Sequence, residues 1–226
     1  MKKYILLLLG LVVATLSQAA NDRVFVLTHA GAVDPALAER VRAHLEENSG
    51  AAVRLAPAIP MESGQSLDAI GRTAAKTLGK NDHSIIVLAR STKEQPQGVC
   101  LPWERFAVLN IARLEAGVDA AQLERRAGQE GLRVMATLLD MAPCPFPLCV
   151  LVGYEKTEDL DHMSSNFCPP CLDRFTRLAR KAGIRLIEAT SIFPAEPAAA
   201  PAAEPGAEPV VAEPAVLPAG APAAAE

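Results

Sequence analysis

Four cysteines fall in two close pairs, Cys144 and Cys149 in CPFPLC and Cys168 and Cys171 in CPPC, about twenty residues apart. The segment they bracket is rich in proline and loop-forming residues. It has too little apolar content for a core of its own, so whatever joins the cysteines sets its shape. Three arrangements are open. Each short loop could turn two thiolates toward one tetrahedral zinc ion. In an oxidising compartment the four could instead form two disulfides. Or Cys168 and Cys171, at the start of a helix, could be a redox dithiol whose first thiol is acidified by the helix end. No strand runs directly into CPPC as it would in a thioredoxin-like βα unit. Cys100 stands apart and reads as a buried free thiol.

The compartment follows from the first 19 residues. Lys2 and Lys3 precede an apolar run from Tyr4 to Leu16, and Ser17-Gln18-Ala19 gives a small-residue exit. This is the pattern of a secretory signal, and the run is short for a span of about 20 residues. The expected location is therefore periplasmic or extracellular, with no membrane span left after cleavage. At the other end, residues 194–226 are almost wholly Ala, Pro, Glu, Val and Gly, without an aromatic or basic residue. Such a composition cannot offset chain entropy by burial and is expected to be disordered, a spacer or a reach toward a partner. Residues 20–193 remain, enough for one domain. The net charge of −4 and the absence of a basic stripe interleaved with aromatics argue against nucleic acid.

Within the domain, strands and helices alternate. RVFVLT (Arg23–Thr28), AVRLA (Ala52–Ala56) and SIIVLA (Ser84–Ala89) read as strands, the last apolar throughout as a buried parallel strand should be. Asp34-Pro35 starts a helix with Leu37, Val41 and Leu45 on one stripe, and Ser66 caps a second helix through Leu78. One or two further strands are expected in GVCLPWERFAVLNIARL, with Phe106 to Ile111 the clearer. Asp119 then caps a long helix to about Met141, with Leu123, Ala127, Leu138 and Met141 inward. A last helix over CLDRFTRLARKAG and a short strand over IRLIEA complete an α/β fold with a mixed sheet.

The helix, the four cysteines and the preceding strand together resemble the archaemetzincins. That family's signature is H-E-x-x-H-x-x-G-x-x-H-C followed by C-x4-C and, after a short gap, C-x-x-C. CPFPLC supplies the first pair at the end of the long helix and NFCPPC the second, with Leu151 where the family has Met. The resemblance covers most of residues 23–185. It implies a metzincin-like fold with an active-site helix and a cysteine-rich C-terminal subdomain, and a structural zinc on Cys144, Cys149, Cys168 and Cys171.

The same resemblance removes the catalytic metal. Counting back from Cys144, the histidines of the signature fall on Arg133, Thr137 and Pro143, its Glu on Val134 and its Gly on Asp140. A permanent cation repels a divalent ion, valine moves no proton, threonine is a weak ligand and proline offers no ligating group. His29, His44, His83 and His162 lie elsewhere, and no H-x3-H pair occurs. The expectation is a pseudo-metallopeptidase that acts by binding a peptide or an envelope protein. Arg133 would then either meet a carboxylate or form a salt bridge with Glu130 or Asp140. The alternatives are an active peptidase with atypical ligands, or a CxxC thiol-disulfide exchange protein.

Overall fold

Every central strand is apolar on both sides because the sheet is covered on both faces. The computed structural model describes residues 22–187. The segment read as a secretory signal and the Ala/Pro/Glu-rich tail lie outside these residues. The sheet order is β2-β1-β3-β5-β4, with β1 Val24–Ala30, β2 Val53–Leu55, β3 Asp82–Ala89, β4 Gly98–Leu101 and β5 Phe106–Asn110. β1, β2, β3 and β5 run parallel, while β4 is an antiparallel edge strand on β5.

The period-2 alternation of side chains sends each strand's residues into two separate cores. Phe25, Leu27, Ile86, Leu88, Ala107 and Leu109 face α1 (Pro35–Ser49), α4 (Ala120–Leu138) and α5 (Pro169–Lys181). Val26, Ala30, Ile85, Val87, Phe106 and Val108 face α2 (Leu67–Ala75). A short α3 (Ile111–Leu114) links β5 to α4. No helix among the described residues is long and apolar enough to cross a membrane.

Helix starts follow the expected caps. Asp34 Oδ1 accepts from the N–H of Ala36 at 2.9 Å, Ser66 caps α2, and Asp119 forms a capping box with Gln122 on α4. Two expectations need correction. α2 stops at Ala75 and α4 at Leu138, short of the anticipated Leu78 and Met141. IRLIEA is not a strand among the described residues. Ile184 bridges Arg23 and Leu186 bridges Ala51, two different partners, so no ladder forms.

α2 sits so close to the sheet that Gly71 has no room for a side chain. A Cβ there would lie 2.1 Å from ring carbons of fully buried Phe106. Gly71→Ala is expected to destabilise by about 1–3 kcal/mol even after the gain of about 1 kcal/mol in helix propensity. Gly131→Ala in α4 meets only the flexible end of Leu45, at 2.7 Å, and should cost less. Urea unfolding of the two variants checks the order.

Candidate metal centre

α4 crosses α1 on small residues, with Gly128 against His44 and Gly131 against Leu45. Its end is a left-handed turn: Asp140 has φ 57°, and the Met141 N–H reaches back to the Ala136 carbonyl at 3.0 Å. Asp140 is where the signature carries glycine. Beyond the turn Met141 is buried, and the chain enters the cysteine loops.

Main-chain bonds tie these loops together. The Cys144 N–H meets the Leu151 carbonyl at 3.0 Å, and the Val150 N–H meets that of Asn166 at 2.8 Å. Cys168 is the N-cap residue of α5, with Pro169 and Pro170 opening the helix where their missing donors cost nothing.

The result is a cluster in which the sulfurs of Cys144, Cys149, Cys168 and Cys171 lie within 4.8 Å of one another, and which could hold a metal ion. Cys144 and Cys168 are 3.9 Å apart. Four thiolates about 2.3 Å from a tetrahedral zinc would be about 3.8 Å apart, so modest contraction suffices. The Phe146 N–H points at Cys144 Sγ (3.5 Å) and the Cys168 N–H at Cys149 Sγ (3.4 Å), the donors that bound thiolates need. Burial pushes the Cys149 and Cys171 thiols up. At Cys168 burial acts the same way, but the Cys171 N–H and the surrounding thiols outweigh it and hold the thiol below its ordinary value. Cys168 is buried and its sulfur is shared among three others, a poor fit to an accessible dithiol. Cys100 lies half-buried on the edge strand β4, and burial pushes its thiol up to about 12.

Arg133, Val134, Thr137 and Pro143, the positions singled out in the sequence, line a neighbouring cavity of about 160 Å³ with Glu130, Met141 and Leu151. The ligating side chains in this lining are Glu130 and Thr137, and Arg133 stands between them in sequence. Arg133 donates through Nη1 to the carbonyls of Val150 (2.5 Å) and Val152 (2.7 Å). Its Nε lies 3.1 Å from Glu130 Oε1, an ion pair without hydrogen-bond alignment, and its guanidinium stacks 4.7 Å from the Tyr154 ring centroid. Of the two carboxylates considered for Arg133, Glu130 is the partner. Thr137 Oγ1 donates back to the Arg133 carbonyl at 2.9 Å, occupied within its own helix. Val134 is buried, and Pro143 lines the rim.

Two partners in this network had no signal in the sequence. Gln97, in the loop before β4, donates to Tyr154 Oη at 2.5 Å and accepts from Thr157 at 2.7 Å. Burial pushes the Glu130 carboxyl above the usual range, against the pull of Arg133, Tyr154 and Gln97. Burial, followed by the Glu130 charge, pushes the Tyr154 phenol up. Among the described residues, His29, His44, His83 and His162 fall in no group of three or more side chains placed to hold a metal ion.

No family profile and no curated protein matches the chain. Solved structures do. The archaemetzincin of Methanopyrus kandleri is 17% identical, with a TM-score of 0.58 over 70% of this chain and 97% of that one. A zinc-dependent peptidase of Methanocorpusculum labreanum is 17% identical, with 0.56 over 67% and 99%. The archaemetzincin of Archaeoglobus fulgidus, in complex with malonate, is 16% identical, with 0.52 over 66% and 99%. Over about two thirds of its length this chain therefore has an archaemetzincin-like, metallopeptidase-type fold.

Proposed function

We propose that this is an exported protein that holds one structural zinc on Cys144, Cys149, Cys168 and Cys171, has lost peptidase chemistry, and acts by binding a peptide or an envelope protein. The observation that carries this reading is the fate of Arg133. Its cation stands at a metal-ligand position of the related signature, tied down by two carbonyls, Glu130 and Tyr154. A divalent ion there would face a fixed positive charge, with Thr137 and the Glu130 carboxylate that Arg133 already pairs as the ligating side chains, and no carboxylate stands at position 134 to take a proton from a bound water. The structural zinc site, by contrast, needs only the four thiols that already converge. Export rests on Lys2, Lys3 and the apolar run that follows.

The test uses the mature chain, produced through the export pathway, with added zinc and a mixed peptide library read by mass spectrometry. No cleavage that responds to chelator is expected. Chelator-sensitive cleavage that survives Arg133→Ala and Thr137→Ala would contradict the reading and point to a working peptidase with other ligands.

A further inference from the structure

Most arginines of the domain sit beside a carboxylate or a carbonyl, as Arg54 does with Asp82 and Arg126 with Asp161. Among the described residues, the lysines and a few arginines, such as Arg174 and Arg180, form no ion pair; one pole differs in gathering three such cations around a single cleft. Arg23, just before β1, Lys80, just before β3, and Lys181, at the end of α5, line one cleft of about 390 Å³. None of the three has an ion-pair partner among the described residues. All three are exposed, and the acidic group in the lining is Asp22.

The three segments are held in register by the main chain. The Arg23 N–H bonds the Gly183 carbonyl at 3.0 Å, the Val24 N–H bonds that of Asn81 at 3.0 Å, and the Arg185 N–H bonds that of Arg23 at 2.8 Å. An adjoining hollow shares Lys181 and adds His83 and Asp140. Lys181 on its own would be explained as a cation complementing the negative end of α5. Arg23 and Lys80 come from other segments and have no helix end to complement. Gathering them costs mutual repulsion in a chain whose net charge is −4.

We infer that this cleft, framed by Arg23, Lys80 and Lys181, is a binding site for a phosphate-class oxyanion, with the Asn81 amide as a neutral donor in the same lining. Charge-assisted bonds from several converging cations are the usual recognition of such groups. The site is separate from the cysteine cluster and from the Arg133 cavity, sharing no lining residue with either. His83 supplies a reporter. Burial, then the Arg105 and Arg23 cations, push its imidazole down to about 4. A bound anion would offset those cations and move that value upward.

The experiment titrates the mature full chain at low salt with pyrophosphate, followed by calorimetry and by the His83 ring signals, and separately with vesicles of phosphatidylcholine containing phosphatidylglycerol. The variant Arg23→Gln/Lys80→Gln/Lys181→Gln removes the cleft's cations. The control Lys76→Gln/Lys93→Gln/Lys156→Gln removes the same charge elsewhere. Pyrophosphate binding that raises the His83 pKa, weakens at least tenfold in the cleft variant and stays unchanged in the control supports the site with a soluble ligand. The same pattern with the vesicles alone supports it with a lipid headgroup as the source. No binding of either probe, or equal loss in both variants, overturns it.

Discussion

With the proposed zinc on the four cysteines, Cys149→Ser should abolish metal binding and lower the melting temperature by about 10 °C or more. Cys149 is fully buried in the larger core, and its sulfur is one of the four that converge. A serine there offers a poorer ligand and places a hydroxyl in an apolar setting, with the Cys168 and Leu151 N–H groups close by. Loss of a structural metal belongs with the substitutions that cost more than about 4 kcal/mol. At roughly 2–4 °C per kcal/mol for a domain of this size, that gives the expected shift. Chelation of the unmodified chain should reproduce it, because binding free energy at such a site is folding free energy. Cys100→Ser is the control. That thiol lies on the edge strand outside the cluster, so metal content should not change. Calorimetric melts with metal analysis check both variants.

Asp161→Ala should be the second severe change. Arg126 is 1% exposed on α4, and its guanidinium grips Asp161 with two bonds, Nε to Oδ1 at 2.9 Å and Nη2 to Oδ2 at 2.7 Å. Nη1 reaches the Leu114 carbonyl at 2.9 Å. Removing the carboxylate leaves a buried cation uncompensated, at a cost of about 3–5 kcal/mol. The pair also clamps the 3-10 turn Thr157–His162 to α4, helped by Gln129 Nε2 on the Leu160 carbonyl at 2.9 Å. The cysteine segment should therefore loosen as well.

The pH dependence has a definite sign. The Arg126 guanidinium holds the Asp161 carboxyl below its ordinary value of 3.8. The folded chain then binds fewer protons than the unfolded chain in that acid window. The contribution is complete above the unfolded value and is lost as pH falls through the folded one. Urea unfolding from pH 7 down to pH 3 should show a steeper acid loss in the parent chain than in Asp161→Ala.

Local chemistry made much of this legible. Asp34, Ser66 and Asp119 announce helix starts because a short polar side chain before an apolar stripe has few better uses, and all three cap helices here. The cysteine spacing left a zinc site, two disulfides or a redox dithiol open, and the fold brings all four sulfurs together. What depends on distant partners was not legible. β1 lies between β2 and β3, an order set by which faces the helices cover. Nothing within LERRAG tells that Arg126 will be buried against Asp161, 35 positions on. The i,i+3 spacing of Glu130 and Arg133 could suggest an ion pair, but nothing local could say that the Val150 and Val152 carbonyls, Tyr154 and Gln97 would complete the cage. IRLIEA misled because alternation predicts a strand only where a continuous partner runs alongside.

The most direct test is the number of metal ions per chain, measured with a free-thiol count on exported parent protein and on Cys149→Ser. One zinc per chain in the parent, none in the variant, and cysteines that react freely once zinc is removed under denaturing conditions is the expected result. Two ions per chain, an ion that persists in Cys149→Ser, or two disulfides with no metal would contradict the account.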